Sequence, residues 1–132
     1  MKFLLKTIPI LLLLSAVAGG FWFSVRYKQM VQTFKTLEIR DVDLTNLADG
    51  IYVGEFSEFL VSVKATVTLT SHRITEVKIS RQRCGKGYEA SDTLNRIMKA
   101  QTPKVDSVTG ATASSKAIMA AVQNALKNPP LN

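Results

Sequence analysis

The sequence predicts an α+β domain, with a small antiparallel sheet and helices packed on one face, preceded by one N-terminal transmembrane helix. Three observations support this prediction. The chain begins with an apolar run, alternates between apolar and polar residues over residues 51–79, and shows helical periodicity after residue 91. A chain of 132 residues leaves room for one small domain after the apolar run.

No charged residue occurs from Thr7 to Val25, and a helix of that length covers the hydrocarbon core of a bilayer. The alternative is a cleavable signal peptide, because Ala16-Val17-Ala18 resembles a cleavage site. We favour the anchor, since the apolar run continues through Phe21-Trp22-Phe23 beyond that site. The segment is therefore predicted to cross the cell membrane once and to contact membrane lipid.

Two features of the sequence disagree on the side of the membrane on which the domain lies. Two lysines precede the apolar run, whereas four basic residues follow it: Arg26, Lys28, Lys35 and Arg40. This excess of positive charge after the span favours a cytoplasmic domain. We nevertheless expect an extracytoplasmic domain, periplasmic or extracellular, because secretory signals begin with a short basic tail before an apolar run.

The pattern divides the chain into an anchor or signal segment at 1–28, a juxtamembrane connector at 29–48 and a domain at 49–128. Within the domain, residues 51–56 are predicted to form a strand after an Asp-Gly turn. Residues 60–69 alternate, and the alternation resumes at residues 74–79 after a polar break, which predicts an antiparallel hairpin.

The second half of the domain is predicted to be helical. Residues 81–86 have the basic, glycine-bounded composition of a mobile loop. A helix capped by Ser91 or Asp92 should follow and stop at Pro103. A last helix is predicted from about Ser114 to Lys127, because apolar residues recur there with helical spacing.

Composition argues against several classes of function. The net charge is +7, but the basic residues are scattered and no nucleic-acid-binding signature accompanies them, so we expect no nucleic-acid partner. Cys84 and His72 are the only residues of their types, which excludes a disulfide within the chain and argues against a metal site or a Cys/His catalytic pair. We expect His72 to be exposed in the hairpin turn and Cys84 to be incidental. The basic cluster at 81–86 is interpreted as a solvated face, with contact to a phosphate or an acidic partner as the alternative.

One motif indicates chemistry: Asp106-Ser107-Val108-Thr109-Gly110-Ala111-Thr112, immediately before the last predicted helix. Gly110 permits a positive φ, Ala111 keeps the surface small, and Thr112 presents a hydroxyl near the helix N-terminus. The free N–H groups and the helix dipole there favour an anion by about 0.3–1 kcal/mol, and Thr109, Ser114 and Ser115 could add hydrogen bonds. Taken alone, such a segment is usually a turn and a helix cap.

The motif resembles that of the FMN-binding domain family, whose members include subunits of sodium-pumping and electron-bifurcating membrane redox complexes. In that family an aspartate precedes Ser or Thr, Gly, Ala, and a final Thr or Ser that is esterified to FMN by an FAD-dependent FMN transferase. The segment Asp49-Gly50-x-Tyr52-x-Gly54 also looks like the family's first strand, so the resemblance covers roughly residues 49–127. It implies that Thr112 carries FMN through a phosphoester, that the transferase requires Asp106, and that Thr109-Gly110-Ala111 approaches the phosphate.

The chain departs from the family pattern in two places. Ser114 stands where family members often have threonine, and the loop at 81–87 is shorter than in many members. Tyr88 and Met98 are candidates to pack on the isoalloxazine ring. The predicted cofactor-binding residues are Asp106, Ser107, Thr109, Gly110, Ala111, Thr112, Ser114 and Ser115.

We therefore expect an extracytoplasmic, membrane-anchored flavoprotein that relays electrons from a membrane redox protein or complex to another acceptor. No general acid, nucleophile or substrate pocket is evident in the sequence, so we expect a carrier and not a stand-alone enzyme. The alternatives are a non-covalent FMN binder and an anchored interaction module that lacks the cofactor.

Overall fold

The protein is described by a computed structural model that covers the backbone of residues 2–131 and the side chains of residues 7–131. Its chain forms two compact units, Met1–Lys35 and Thr36–Asn132. The first unit contains all of helix α1 (Lys2–Thr36) except its last residue. The part of α1 from Thr7 to Thr36 is long and apolar enough to cross a membrane, as length and composition predict. The helix continues into the first residues of the predicted connector.

The second unit contains a three-stranded antiparallel sheet in the order β1-β2-β3, followed by two helices. A 3₁₀ turn at Leu44–Asn46 precedes the sheet. The elements are β1 (Gly50–Glu58), β2 (Val61–Thr70), β3 (Arg73–Arg83), α2 (Asp92–Ala100) and α3 (Thr112–Lys127). The predicted α+β class and the predicted antiparallel hairpin are both confirmed.

The core lies between α3 and one face of the sheet. Every second residue of β2 is buried, which matches the predicted alternation: Val61, Val63, Ala65, Val67 and Leu69. Eleven of the sixteen residues of α3 are buried, so its covered surface is broader than the predicted stripe of apolar residues. Burial of this extent makes α3 the central element of the domain.

Gly54 lies where β1 and α3 approach each other most closely. A Cβ at this position would overlap the backbone nitrogen of Ala125 and the carbonyl oxygen of Ala121, and it would lie 2.6 Å from the Cα of Ala125. These are backbone atoms that cannot rotate away. The amide of Asn124 adds a hydrogen bond to the carbonyl oxygen of Glu55 on β1, at 2.9 Å. Only glycine therefore fits beneath α3 here.

Asp49 joins the start of β1 to the turn between β2 and β3. Its carboxylate accepts hydrogen bonds from the N–H of Ser71 (2.7 Å) and of His72 (3.0 Å), two residues with left-handed φ values of 53° and 58°. The hydrogen bond from the His72 N–H, which has the larger effect, and the one from the Ser71 N–H hold the pKa of Asp49 below its ordinary value. Tyr52 Oη donates to the carbonyl oxygen of Ala48 at 2.6 Å, which fixes the same corner.

The prediction of a mobile loop at residues 81–86 is wrong for residues 81–83. Strand β3 continues to Arg83, with Arg81 opposite Lys64 and Arg83 opposite Ser62. The guanidinium of Arg83 also donates to the carbonyl oxygen of Phe59 at 2.6 Å. Pairing with β2 and the hydrogen bond to Phe59 hold these residues in a strand, although their composition is typical of a loop. The partners are distant in sequence, so the local composition does not reveal them.

Both helices begin or end at residues other than those predicted. Helix α2 ends at Ala100, before Pro103, because Gln101 adopts a left-handed conformation with φ 58°. The side-chain amide of Gln101 accepts a hydrogen bond from the N–H of Ile74 (2.8 Å) and donates one to its carbonyl oxygen (3.0 Å). Ser91 occupies the N-cap position of α2 without a side-chain cap. Helix α3 begins at Thr112, two residues before the predicted start.

Candidate functional site

The motif at 106–112 forms the connection into α3. The N–H of Ala111 donates to the carbonyl oxygen of Val108 at 3.0 Å, which closes a turn around Thr109 and Gly110. Gly110 has φ 79°, the left-handed conformation that its sequence position predicts, and no heavy atom lies within 4 Å of where a Cβ would be. The backbone at Gly110 is therefore open to close approach by a ligand.

Arg96 on α2 holds the beginning of the motif. Its Nη1 donates to the carbonyl oxygens of Asp106 (3.1 Å) and Ser107 (3.2 Å), and its Nε donates to Asp92 Oδ2 at 2.8 Å. The guanidinium fork thus connects α2 to two consecutive peptide groups of the motif. Sequence reasoning missed Arg96. The Asp92-Arg96 spacing signals an i,i+4 ion pair, but nothing local signals the contacts with residues ten and eleven positions away.

Ser115 holds the end of the motif from inside. Its hydroxyl accepts a hydrogen bond from the N–H of Val108 (2.9 Å) and donates one to the carbonyl oxygen of Ala111 (2.8 Å). The side chain of Ser115 is completely buried, and Ser114 is only 3% exposed. The sequence suggested both serines as hydrogen-bond donors to a phosphate. The structure instead gives the Ser115 hydroxyl to the motif's own backbone.

Thr112 is the first residue of α3 and its side chain is exposed. The N–H groups in the first turn of a helix have no partner four residues earlier, and the helix dipole places positive charge at this end. The N-cap position, Ala111, supplies no side-chain cap to these groups. Thr109, Gly110 and the side chain of Asp106 are exposed beside it. The arrangement offers an accessible hydroxyl next to donors suited to phosphate oxygens.

A cavity of about 650 Å³ opens beside this turn. Its volume falls within the range of small-molecule sites, about 300–1,000 Å³. Its two walls are the loop before α2 and the motif: residues 86–92 on one side and residues 108–111 on the other. Tyr88 lines the cavity and is 54% exposed, whereas Met98, the other candidate for ring contact, is not among its lining residues.

The loop that forms the first wall is held by hydrogen bonds to Glu89. Gln82 Nε2 donates to the Glu89 carbonyl oxygen at 2.7 Å, and the N–H of Gly87 donates to Glu89 Oε1 at 3.1 Å. One residue beyond this wall, Thr93 is fully buried, and its hydroxyl has no hydrogen-bond partner in the described part of the chain. Beside the ring of Tyr88, the cavity is lined by groups able to donate hydrogen bonds to a phosphate: Lys86, Ser91 and Thr109.

The only histidine and the only cysteine of the chain lie elsewhere. His72 is exposed in the β2–β3 turn, with Nδ1 at 2.9 Å from the carbonyl oxygen of Leu47. Cys84 is half-buried just after β3. Among the residues that the structure describes, no group of three or more His, Cys, Asp or Glu side chains is arranged to hold a metal ion.

A family model, described as FMN-binding domain, matches residues 61–127, which is just over half of the chain. The matched region contains the motif, the cavity walls and both α2 and α3. It begins at β2, so Asp49-Gly50-x-Tyr52-x-Gly54 lies before it. Neither the search of curated proteins nor the search of solved structures found a match.

Proposed function

This chain belongs to the FMN-binding domain family, and on that premise we propose that it carries FMN as a phosphoester on Thr112 and relays electrons between redox partners at a membrane. The observation that supports the attachment is the position of Thr112. Its exposed side chain begins α3 directly after Gly110 and Ala111, which line the cavity of about 650 Å³. A phosphate on this hydroxyl would lie at the positive end of α3.

Loading requires a flavin donor and an enzyme. With FAD as the donor, the bond from Thr112 Oγ1 to the FMN phosphorus forms, the bond from that phosphorus to the AMP oxygen breaks, and AMP leaves. We assign removal of the hydroxyl proton to the FAD-dependent transferase. We assign Asp106 to recognition by this enzyme, since its exposed side chain lies six residues before Thr112.

Bound FMN would supply the redox chemistry, accepting and donating electrons singly or in pairs. The chain's own residues would bind and orient it. The backbone N–H groups in the first turn of α3 would hold the phosphate, and Tyr88 would cover part of the ring from the opposite wall of the cavity. A covalent ester prevents loss of the cofactor, which matters wherever free FMN is scarce.

We place the domain on the extracytoplasmic side of the membrane, anchored by α1 and receiving electrons from a membrane redox protein or complex. The length and apolar composition of Thr7–Thr36 support the anchor. Protease treatment of intact cells and of spheroplasts tests the side. Digestion of the domain in spheroplasts is expected, and protection in both preparations would contradict the placement.

Fluorescence of the denatured protein in a gel tests covalent attachment. The full-length chain is co-expressed with an FAD-dependent FMN transferase, and the band is viewed under ultraviolet light. Wild type should fluoresce, Thr112→Val should be dark, and Thr112→Ser should retain a band because it keeps the hydroxyl. Thr70→Val is the matched control, since it removes an exposed threonine hydroxyl at the end of β2, outside the motif and the cavity, and should remain fluorescent.

The same experiment separates the alternatives. A yellow native protein with a dark denatured band would indicate FMN held without a covalent bond. A colourless protein and a dark band, in the presence of an active transferase, would indicate an anchored module that has kept the fold without the cofactor. Either result would reject the phosphoester.

A further inference from the structure

A second cleft lies beside the motif, on the side of α2 and the segment that follows it. It has a volume of about 780 Å³. Three of its six lining residues are basic and one is acidic: Arg96, Lys99, Ala100, Lys104, Val105 and Asp106. None of the residues that line the cavity beside Thr109–Ala111 also lines this cleft, so the two are separate surfaces that meet at the motif.

The charges of the cleft are not balanced within the domain. Arg96 is paired with Asp92, at 2.8 Å. Lys99 and Lys104 are exposed and form no ion pair with any residue that the structure describes. The carboxylate of Asp106 has no ion-pair partner in the same part of the chain, because Arg96 contacts its backbone carbonyl oxygen instead. The cleft therefore presents two unpaired cations beside one unpaired carboxylate.

We propose that this basic cleft is the docking surface for the FMN transferase, through acidic side chains of the enzyme that pair with Lys99 and Lys104. The inference rests on the proposed function. The enzyme must reach Thr112, and an enzyme that recognises Asp106 must contact the cleft that Asp106 lines. Complementary charges at such a rim accelerate encounter and fix the orientation of the partner more than they add affinity.

The test measures the rate of FMN incorporation into the full-length, detergent-solubilised protein by purified transferase with FAD. Lys99→Glu and Lys104→Glu should each lower the second-order rate constant about threefold at low ionic strength, and the double variant about tenfold. The wild-type rate should fall as salt is added, because salt screens the attraction, whereas the rate of the double variant should change little.

Lys127→Glu is the matched control. Lys127 and Lys99 each lie in the last turn of a helix, so both substitutions change the charge by the same amount and oppose the dipole of their helix. Lys127 is exposed and does not line the cleft. Melting temperatures of the three single variants measure any loss of folding separately from the loss of docking.

Loading of the double variant at the rate of Lys127→Glu would overturn the inference and leave the proposed function intact. Absence of FMN from the wild type would overturn the proposed function, and this inference with it. Normal loading of the cleft variants, combined with slower reduction by a membrane electron donor, would also overturn it and would assign the cleft to the redox partner.

Discussion

Arg96 Nη1 donates a hydrogen bond to the backbone carbonyl oxygen of Asp106 at 3.1 Å, so a side chain of α2 fixes the first residue of the motif at 106–112. The contact leaves the Asp106 carboxylate exposed. Arg96 acts on the loop, and the loop presents Thr112. It is therefore a positioning residue, separated from the Thr112 hydroxyl by the length of the motif.

Replacing Arg96 should slow FMN loading. Arg96→Met removes both hydrogen bonds to the motif and the ion pair with Asp92, and we expect the loading rate to fall about tenfold. Loss of the exposed ion pair costs about 0–1 kcal/mol of unfolding free energy, and loss of each hydrogen bond adds about 1 kcal/mol. Arg96→Lys keeps the charge but not the two-carbonyl fork, so it should recover little of the rate.

Asn95→Met is the control for Arg96, because Asn95 is the preceding, exposed residue of the same helix. The loading rate and the melting temperature are measured for all three variants in detergent. Loading of Arg96→Met at the rate of Asn95→Met would show that the transferase does not need the motif in this conformation.

Ser115→Ala should destabilise the domain and loosen the motif. The Ser115 side chain is fully buried, and its hydroxyl accepts a hydrogen bond from the N–H of Val108. The substitution removes that acceptor. An unsatisfied buried polar group costs about 1–3 kcal/mol, which thermal or denaturant unfolding of the full-length protein in detergent would measure. Ser57→Ala, an exposed serine on β1, is the control. Equal stability of the two variants would mean that solvent reaches Val108.

Gly54→Ala should be among the most destabilising single substitutions in the domain. The added methyl group would overlap backbone atoms of Ala121 and Ala125, so α3 would have to move away from β1. Overpacking of this kind costs about 1–3 kcal/mol of unfolding free energy. We expect a value near the top of this range, because the atoms in the way belong to the helix backbone. The melting temperature measures the effect, with Ser57→Ala again as the control. A change of less than about 0.5 kcal/mol would contradict the close approach.

The Asp49 carboxylate should stabilise the domain at neutral pH and lose this effect when acid protonates it. Its folded-state pKa is below the ordinary value, so its contribution is complete above the unfolded-state pKa of about 3.9 and is lost as pH falls through the lower folded-state value. We expect wild type to melt above Asp49→Asn at neutral pH, and the difference to shrink steadily below about pH 4.

Asp41→Asn controls for the loss of one negative charge in the acid experiment, because the Asp41 carboxylate bonds only to the N–H of the adjacent Val42 among the described hydrogen bonds. Melting curves of the full-length protein in detergent between about pH 2 and pH 7 make the comparison. A difference between wild type and Asp49→Asn that stays constant over this range would contradict the role of the carboxylate.

Features that depend on neighbours in sequence could be predicted from it. The alternation in β2 predicts which side chains are buried, because successive residues of a strand point to opposite faces. The turn at Gly110 and the helix after it also follow from local residue types, as the φ of 79° confirms. The family resemblance rested on that same local segment, and the family model matches the region that contains it.

Features that depend on distant partners could not be predicted. Arg83 belongs to a strand because Phe59 and Ser62 lie across from it, although its neighbours in sequence have the composition of a loop. The clamp formed by Arg96 and Ser115 likewise requires α2, α3 and the motif to be in place together. Ser115 was expected to contact the phosphate, because the sequence shows that a hydroxyl is present but not which groups it bonds to in the fold. In the structure these groups are the N–H of Val108 and the carbonyl oxygen of Ala111.

The burial of α3 has a consequence for how the loaded protein can be observed. Thr112 begins the element that is most covered by the sheet, and the Ser115 hydroxyl ties the preceding turn to that element. A flavin ester at this residue would therefore change its surroundings when α3 separates from the sheet. Flavin absorbance and fluorescence would then serve as a built-in optical probe of global unfolding, read in the intact membrane without any added label.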